Sequence, residues 1–243
     1  MTNFIIQITS DAVCPWCYVG YRRLTTAISR HKSLHPLDKF TITWSPFYLN
    51  ASSPAYPGVD KLEYYKSKFG PERTEAILTR LAGVGEGEGI KFSFGGKLGR
   101  TRDAHRVIWL AGKKEEEIRK GGSGSGSANE NVNGEEEGKI GGIQSRVVER
   151  LFAAYFEEEK NITDPKVIVE AAVAGGLERS EVEGLLADEK ADLGGKEVDE
   201  EAEGARRQFV SGVPSFLIQG QYAIEGADEP EAFLDVFRKI RGT

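Results

Sequence analysis

Cys14 and Cys17 sit in the run SDAVCPWCYVG (Ser10–Gly20), separated by Pro15 and Trp16, and the 243-residue chain holds no other cysteine. Three chemistries compete for them. The first is redox. Residues i and i+3 of a helix lie one turn apart on one side, so two thiols at this spacing can close a small disulfide ring. A cysteine at a helix N-terminus faces unpaired backbone N–H groups and the positive end of the helix dipole, which favours a thiolate over a thiol. On this reading Cys14 attacks and Cys17, one turn further in, resolves. Pro15 suits a first helical turn, where its missing N–H would be unpaired anyway. Trp16 offers a flat apolar contact to a substrate.

The second chemistry is metal binding. Cys14-x2-Cys17-x13-His31-x3-His35 falls within the spacing window of a Cys2His2 zinc site. A zinc finger, however, carries its cysteines on a hairpin and its histidines on the following helix. Here the helical pattern begins at the cysteines. The histidines would lie roughly 25 Å further along the same rod, at about 1.5 Å per residue, so no metal site is expected. The third reading is two packed structural thiols, the ordinary fate of a free cysteine. Val213–Pro214, in SGVPSFLI, bears on the choice. An X–Pro bond is the main place for a cis peptide, and proline leaves the backbone of Val213 free for an incoming chain. A strand-start proline is common by itself. Beside a Cys-x-x-Cys at a strand-to-helix turn it supports the redox reading.

The elements that must position these residues follow from periodicity. FIIQI (Phe4–Ile8) reads as a buried strand, Tyr21, Leu24 and Ile28 recur at helical spacing, and FTITWSPFYL (Phe40–Leu49) alternates like a strand. The start is therefore a βαβ unit with the cysteines at its first turn. Helices are expected over 59–70, 71–85, 102–114, 143–160, 163–177, 178–192 and 197–211, with Thr163 or Asp164 as a cap. Strands are expected at 215–218 and 222–225, before a last amphipathic helix with Phe233, Val236, Phe237 and Ile240. Two strands at each end imply one sheet assembled from both termini. The fold class is then α/β, with a helical block inserted into it. Residues 113–142, rich in Gly, Ser and Glu, are expected to be a disordered surface insertion.

Composition narrows the partners. The net charge is −6, with no basic stripe, so nucleic acid is not expected. No stretch approaches the roughly 20 apolar residues of a membrane span, and the first residues lack the basic region of a signal peptide. The expectation is a soluble, cytoplasmic protein without a membrane partner.

Six motifs, SDAVCPWCYVGYRRL, WSPFYLNASSP, RDAHRVIWLA, LFAAYFEEEKNITD, GVPSFLI and YAIEGADEPEAF, occur in the order found in the DsbA-like, FrnE-type thioredoxin-fold oxidoreductases, which the chain resembles. The resemblance covers nearly everything outside about 113–142. It implies a thioredoxin-like domain over 1–55 and 210–243, interrupted by an all-helical domain over 56–209. It implies a redox pair at Cys14 and Cys17, a cis proline at Pro214, and substrate contacts at Pro15, Trp16, Val213 and Pro214. No bound cofactor is implied; glutathione is a candidate co-substrate, and the partner is a thiol or disulfide on a protein or a small molecule. His105, in the AHR run, matches a family position but has no assigned mechanism and reads as a packed histidine. Arg100-Thr101 stands where the family often has Asn-Thr, which puts that asparagine's substrate contact in doubt. Related 2-hydroxychromene-2-carboxylate isomerases and kappa-class glutathione transferases share the architecture but typically have serine at the position of Cys14 and lack the second cysteine. A glutathione-dependent isomerase or transferase is therefore the alternative. A strongly oxidising pair would lie about 100 mV above the cytosolic glutathione poise, roughly 4.7 kcal/mol, and would rest reduced there.

Overall fold

The computed structural model describes residues 1–121, 140–187, 192–207 and 212–242. Strand β1 (Asn3–Ser10) leads through a four-residue turn into α1 (Pro15–Leu34), and β2 (Lys39–Pro46) returns parallel to β1. Near the other end, β5 (Ser215–Ile218) and β6 (Tyr222–Glu225) form a hairpin, followed by α9 (Pro230–Arg241). Strand β5 pairs antiparallel with β1, so the sheet order is β2-β1-β5-β6. Both ends of the chain thus build one sheet, as the pattern of strands predicts.

Alternation explains which face is covered. Phe4, Ile6 and Ile8 are buried, and register places Ile42 and Trp44 of β2 and Phe216 and Ile218 of β5 beside them. These side chains meet α1, α5 and α9: Phe4 packs on Phe237, Tyr21 on Trp44, and Trp44 on Phe152. The opposite face carries Gln7 and Ser45, which hydrogen-bond each other. Period-two patterning with one face apolar needs one packed layer.

Between the terminal segments run α2 (Lys61–Phe69), α3 (Pro71–Gly87), α4 (Arg102–Gly121), α5 (Ile143–Phe156), α6 (Pro165–Gly175), α7 (Arg179–Ala187) and α8 (Gly195–Arg207). Asp164 caps α6 by accepting from the Lys166 N–H, and Gly176 ends it in the left-handed conformation. Buried side chains of the sheet and of α4–α7 form one continuous apolar cluster.

Several expected boundaries move. Val59–Asp60 is not helical; it is a short strand, β3, paired with β4 (Lys97–Leu98), and Asp60 caps α2 through the Glu63 N–H. Strand β2 stops at Pro46, opposite Ser10 where its partner β1 ends, and beyond it the Leu49 N–H donates to the Asp11 carboxylate. Helix α5 ends at Phe156 instead of reaching residue 160. The expected disordered insertion is corrected at its start: residues 113–121 continue α4. Glu115 is buried there and accepts from the Gln144 N–H, and Lys113–Glu116 and Lys120–Glu116 pair along the helix. Charged residues without Gly or Pro are good helix formers, and one buried acceptor anchors the run. Residues 122–139 lie outside the described residues, as do 188–191 and 208–211 at the ends of two expected helices.

Candidate active site

The turn between β1 and α1 builds the site. Asp11 accepts the Cys14 N–H at 3.0 Å through its backbone carbonyl, which closes the turn. Cys14 is then the N-cap of α1, with φ −92° and ψ 111°, and Pro15 stands at the first helical position. The Cys17 N–H donates to the Cys14 carbonyl at 3.1 Å, one turn later. Both thiols are free, and both are buried.

From the other end of the chain, the Cys14 thiol reaches the Val213 carbonyl at 3.5 Å. The Val213–Pro214 peptide is cis. Pro214 and Phe216 press on α1 at Gly20, where a Cβ would come within 3.0 Å of Pro214 Cγ and of Phe216 Cζ. Glycine inside a helix costs about 1 kcal/mol relative to alanine. Here it permits the close crossing that brings Val213 beside Cys14.

The two thiols are electrostatically unequal. Burial, then the hydrogen bond and charge of Cys14, push the Cys17 thiol well above the ordinary cysteine range, while Ser10 and the Asp11 backbone oppose this. Cys17 is held as a neutral thiol. Cys14 occupies the cap, where unpaired N–H groups favour negative charge. Trp16 is half-buried, with the Arg80 guanidinium of α3 5.5 Å from its ring centroid. Tyr65 of α2 feels the charge at Cys14, and burial followed by that charge raises its phenol to about 12. It stays a neutral donor. The helical block therefore places a cation over Trp16 and an aromatic hydroxyl within electrostatic reach of Cys14.

Cys14, Pro15, Trp16, Cys17, Val213 and Pro214 all come together at this turn. The histidines of the zinc pattern do not. His31 hydrogen-bonds buried Asp38 at 2.9 Å and packs among Phe4, Phe40 and Phe237 at the far end of α1. Among the described residues, no group of three or more His, Cys, Asp or Glu is placed to hold a metal. Sequence reasoning passed over Asp11 and Ser10, which were in view inside the motif, and Tyr65 and Arg80, which carry no sequence signal. A cavity of about 180 Å³ behind the turn is lined by Ser10, Ala12, Trp44, His105 and Gln144 among others.

Comparison with known proteins agrees with this geometry. The model of the DsbA-like thioredoxin domain matches residues 5–121 and 135–238. The chain belongs to the DsbA-like thioredoxin-domain family. Its fold is that family's thioredoxin-like α/β fold, with a helical region inserted. Among solved DsbA-like structures, one described as a probable DsbA oxidoreductase from Streptomyces coelicolor superposes with a TM-score of 0.77 at 23% identity, covering 98% of this chain and 90% of that one. The cytosolic disulfide reductase DsbM from Pseudomonas aeruginosa gives 0.57 at 14%, covering 97% and 99%. A 2-hydroxychromene-2-carboxylate isomerase gives 0.59 at 16%, covering 98% of each chain in turn. No curated protein sequence matches significantly. No described helix is long and apolar enough to cross a membrane.

Proposed function

We propose that this DsbA-like chain is a dithiol–disulfide oxidoreductase of the FrnE type, working through Cys14 and Cys17. The observation that carries the reading is the asymmetry of the pair: Cys14 caps α1 beside the Val213 carbonyl, while Cys17 is buried one turn inside as a thiol. The Cys14 thiolate attacks one sulfur of a substrate disulfide, forming a Cys14–substrate disulfide and releasing the other sulfur as a thiolate. Cys17 gives its proton to that thiolate or to water and attacks the Cys14 sulfur. The second substrate thiolate leaves, and the Cys14–Cys17 disulfide remains. The enzyme has lost two electrons and the substrate has gained them; two external thiols, such as glutathione, restore the dithiol and become a disulfide. The reverse sequence oxidises a dithiol.

The neighbouring DsbM is described as a cytosolic disulfide reductase, and one of its solved structures is described as with GSH. That supports a cytoplasmic setting and glutathione as co-substrate for this chain. A strongly oxidising pair would rest reduced in that setting, so the reductase or isomerase direction is the one proposed. Pro15, Trp16, Val213 and Pro214 contact the substrate chain around the mixed disulfide.

The second reading, a glutathione-dependent isomerase or transferase, is favoured by the isomerase neighbour. Cys17→Ser separates the two. The oxidoreductase loses multiple turnover and accumulates a mixed disulfide on Cys14, seen by mass spectrometry. Full activity in Cys17→Ser, or no reversible Cys14–Cys17 disulfide across a glutathione redox series, sinks the proposal.

A further inference from the structure

The geometry points to His105 as a positioning residue for the redox pair, acting through Asp11 to hold the Cys14 turn and to offset the negative charge beside it. This rests on the reading of Cys14 as the attacking thiol.

Asp11 is 1% exposed and His105 3%. Three acceptor atoms of Asp11 have distinct tasks. The backbone carbonyl accepts the Cys14 N–H, and Oδ2 accepts the Leu49 N–H at 2.8 Å. Oδ1 has no hydrogen-bond partner. His105 Nε2, also without one, stands 3.4 Å from it. A buried carboxylate oxygen left unpaired is costly. The two atoms face each other at 3.4 Å, a few tenths of an ångström longer than an ordinary N–H···O hydrogen bond.

The imidazole is held in place for this. Its ring packs edge-on against Tyr48, with 5.5 Å between centroids. The Tyr48 hydroxyl donates to Asp199 at 2.8 Å, and Arg102 holds Asp199 from α4. The helical block therefore reaches Asp11 through His105, whose ring rests on Tyr48 and, through it, on Asp199 of α8 and Arg102 of α4.

Charge explains why this matters for chemistry. Cys14 becomes an anion in every cycle, three residues after a buried carboxylate. Like charges in a poorly solvated site disfavour each other. An N–H from His105 aimed at Oδ1 draws on the Asp11 charge. Among the described residues, Tyr48 after β2, Tyr65 of α2, Tyr155 of α5 and Glu201 of α8 act electrostatically on the pair, and Lys113, Glu115, Glu116 and Arg119 of α4 line the same cavity as His105. The tyrosines are raised and stay neutral, and Glu201 is exposed to solvent. His105 is the one of these groups whose polar atom stands against the Asp11 carboxylate.

The test is the pH dependence of iodoacetamide alkylation at Cys14 in a Cys17→Ser background, with urea midpoints measured in parallel. His105→Leu should move the alkylation midpoint up by about half a pH unit or more, a fraction of the roughly 1–3 units that a close charge gives. Adding Asp11→Asn to His105→Leu should bring it back, as a coupled pair requires. His105→Gln keeps an N–H without a charge, so it should fold and show a smaller shift in the same direction; it stands in should the leucine variant not fold. An unmoved midpoint in the folded His105 variants overturns the inference, as does an Asp11→Asn second change that leaves the shift intact. Alkylation needs only a reactive Cys14, so absence of a reversible Cys14–Cys17 disulfide would count against the oxidoreductase proposal and not against this one.

Discussion

The Cys14 thiol and the Val213 carbonyl stand 3.5 Å apart, although 199 residues separate them in the chain. Gly20 eases that approach, because α1 crosses Pro214 and Phe216 so closely that a Cβ would stand 3.0 Å from each. Gly20→Ala should therefore gain helix propensity of about 1 kcal/mol and lose a similar or larger amount to overpacking, about 1–3 kcal/mol. Activity should fall several-fold while the urea midpoint changes little, since the clash displaces the segment carrying Val213. Unchanged disulfide-exchange rates in a folded Gly20→Ala protein would show that the Val213 carbonyl is not needed beside Cys14.

Cys17 lies one turn inside α1, and its thiol is raised well above the ordinary cysteine range by burial first and by Cys14 next. At neutral pH a brief pulse of iodoacetamide should label Cys14 at least about tenfold more than Cys17, since the thiolate is the reactive form. Peptide mass spectrometry reads both sites at once. Equal labelling would remove the asymmetry on which the assigned roles depend.

Lys61 is 2% exposed, donates to the Tyr155 carbonyl at 3.1 Å and lies 3.8 Å from the centre of the Tyr155 ring. Burial lowers its ammonium to about 8. Between that value and the ordinary lysine value of about 10.4 the unfolded chain binds more protons than the folded one. Stability at this site accordingly rises with pH across the window, by up to about 3 kcal/mol. The wild-type minus Lys61→Met difference in unfolding free energy should rise between pH 8 and 10. A flat difference would mean that Lys61 reaches solvent. Restricting the window to pH 10 keeps the raised tyrosines neutral and out of the comparison.

Asp38 joins both ends of the chain: it accepts from the Thr2 N–H at 2.7 Å, from His31 at 2.9 Å and from Arg241 of α9. Burial opposes its charge, but His31, the Thr2 N–H and Arg241 together hold its carboxyl well below the usual range. A depressed carboxyl contributes stability that is present above about pH 4 and lost as pH falls below it. Asp38→Ala should cost about 3–5 kcal/mol at pH 7, as for other buried pairs with one partner removed. It should also flatten the loss of stability below pH 4, measured by urea unfolding across pH 3 to 7.

Local pattern carried much of the architecture. The β1–α1–β2 unit, the closing β5–β6 hairpin and the Cys14–Cys17 spacing are legible because period-two alternation, helical recurrence and a three-residue offset are properties of neighbouring residues. Capping by Asp164 is local for the same reason. Where the reading missed, a distant partner was responsible. Strand β2 ends at Pro46 because its partner β1 ends at Ser10, after which Asp11 takes the Leu49 N–H. Val59–Asp60 leaves the helix because Lys97–Leu98 pairs with it. Residues 113–121 stay helical because Glu115 finds the Gln144 N–H.

The candidate site divides along the same line. Cys14, Pro15, Trp16, Cys17, Val213 and Pro214 are all named from the sequence, the first four because one helix start places them. That Val213, Arg80 and Tyr65 surround those four, and that His105 faces Asp11 across 94 positions, is determined by packing between elements far apart in the chain. Hydrophobic burial brings those elements together without direction; the hydrogen bonds and charges left inside then settle which polar atoms meet at the cysteine turn.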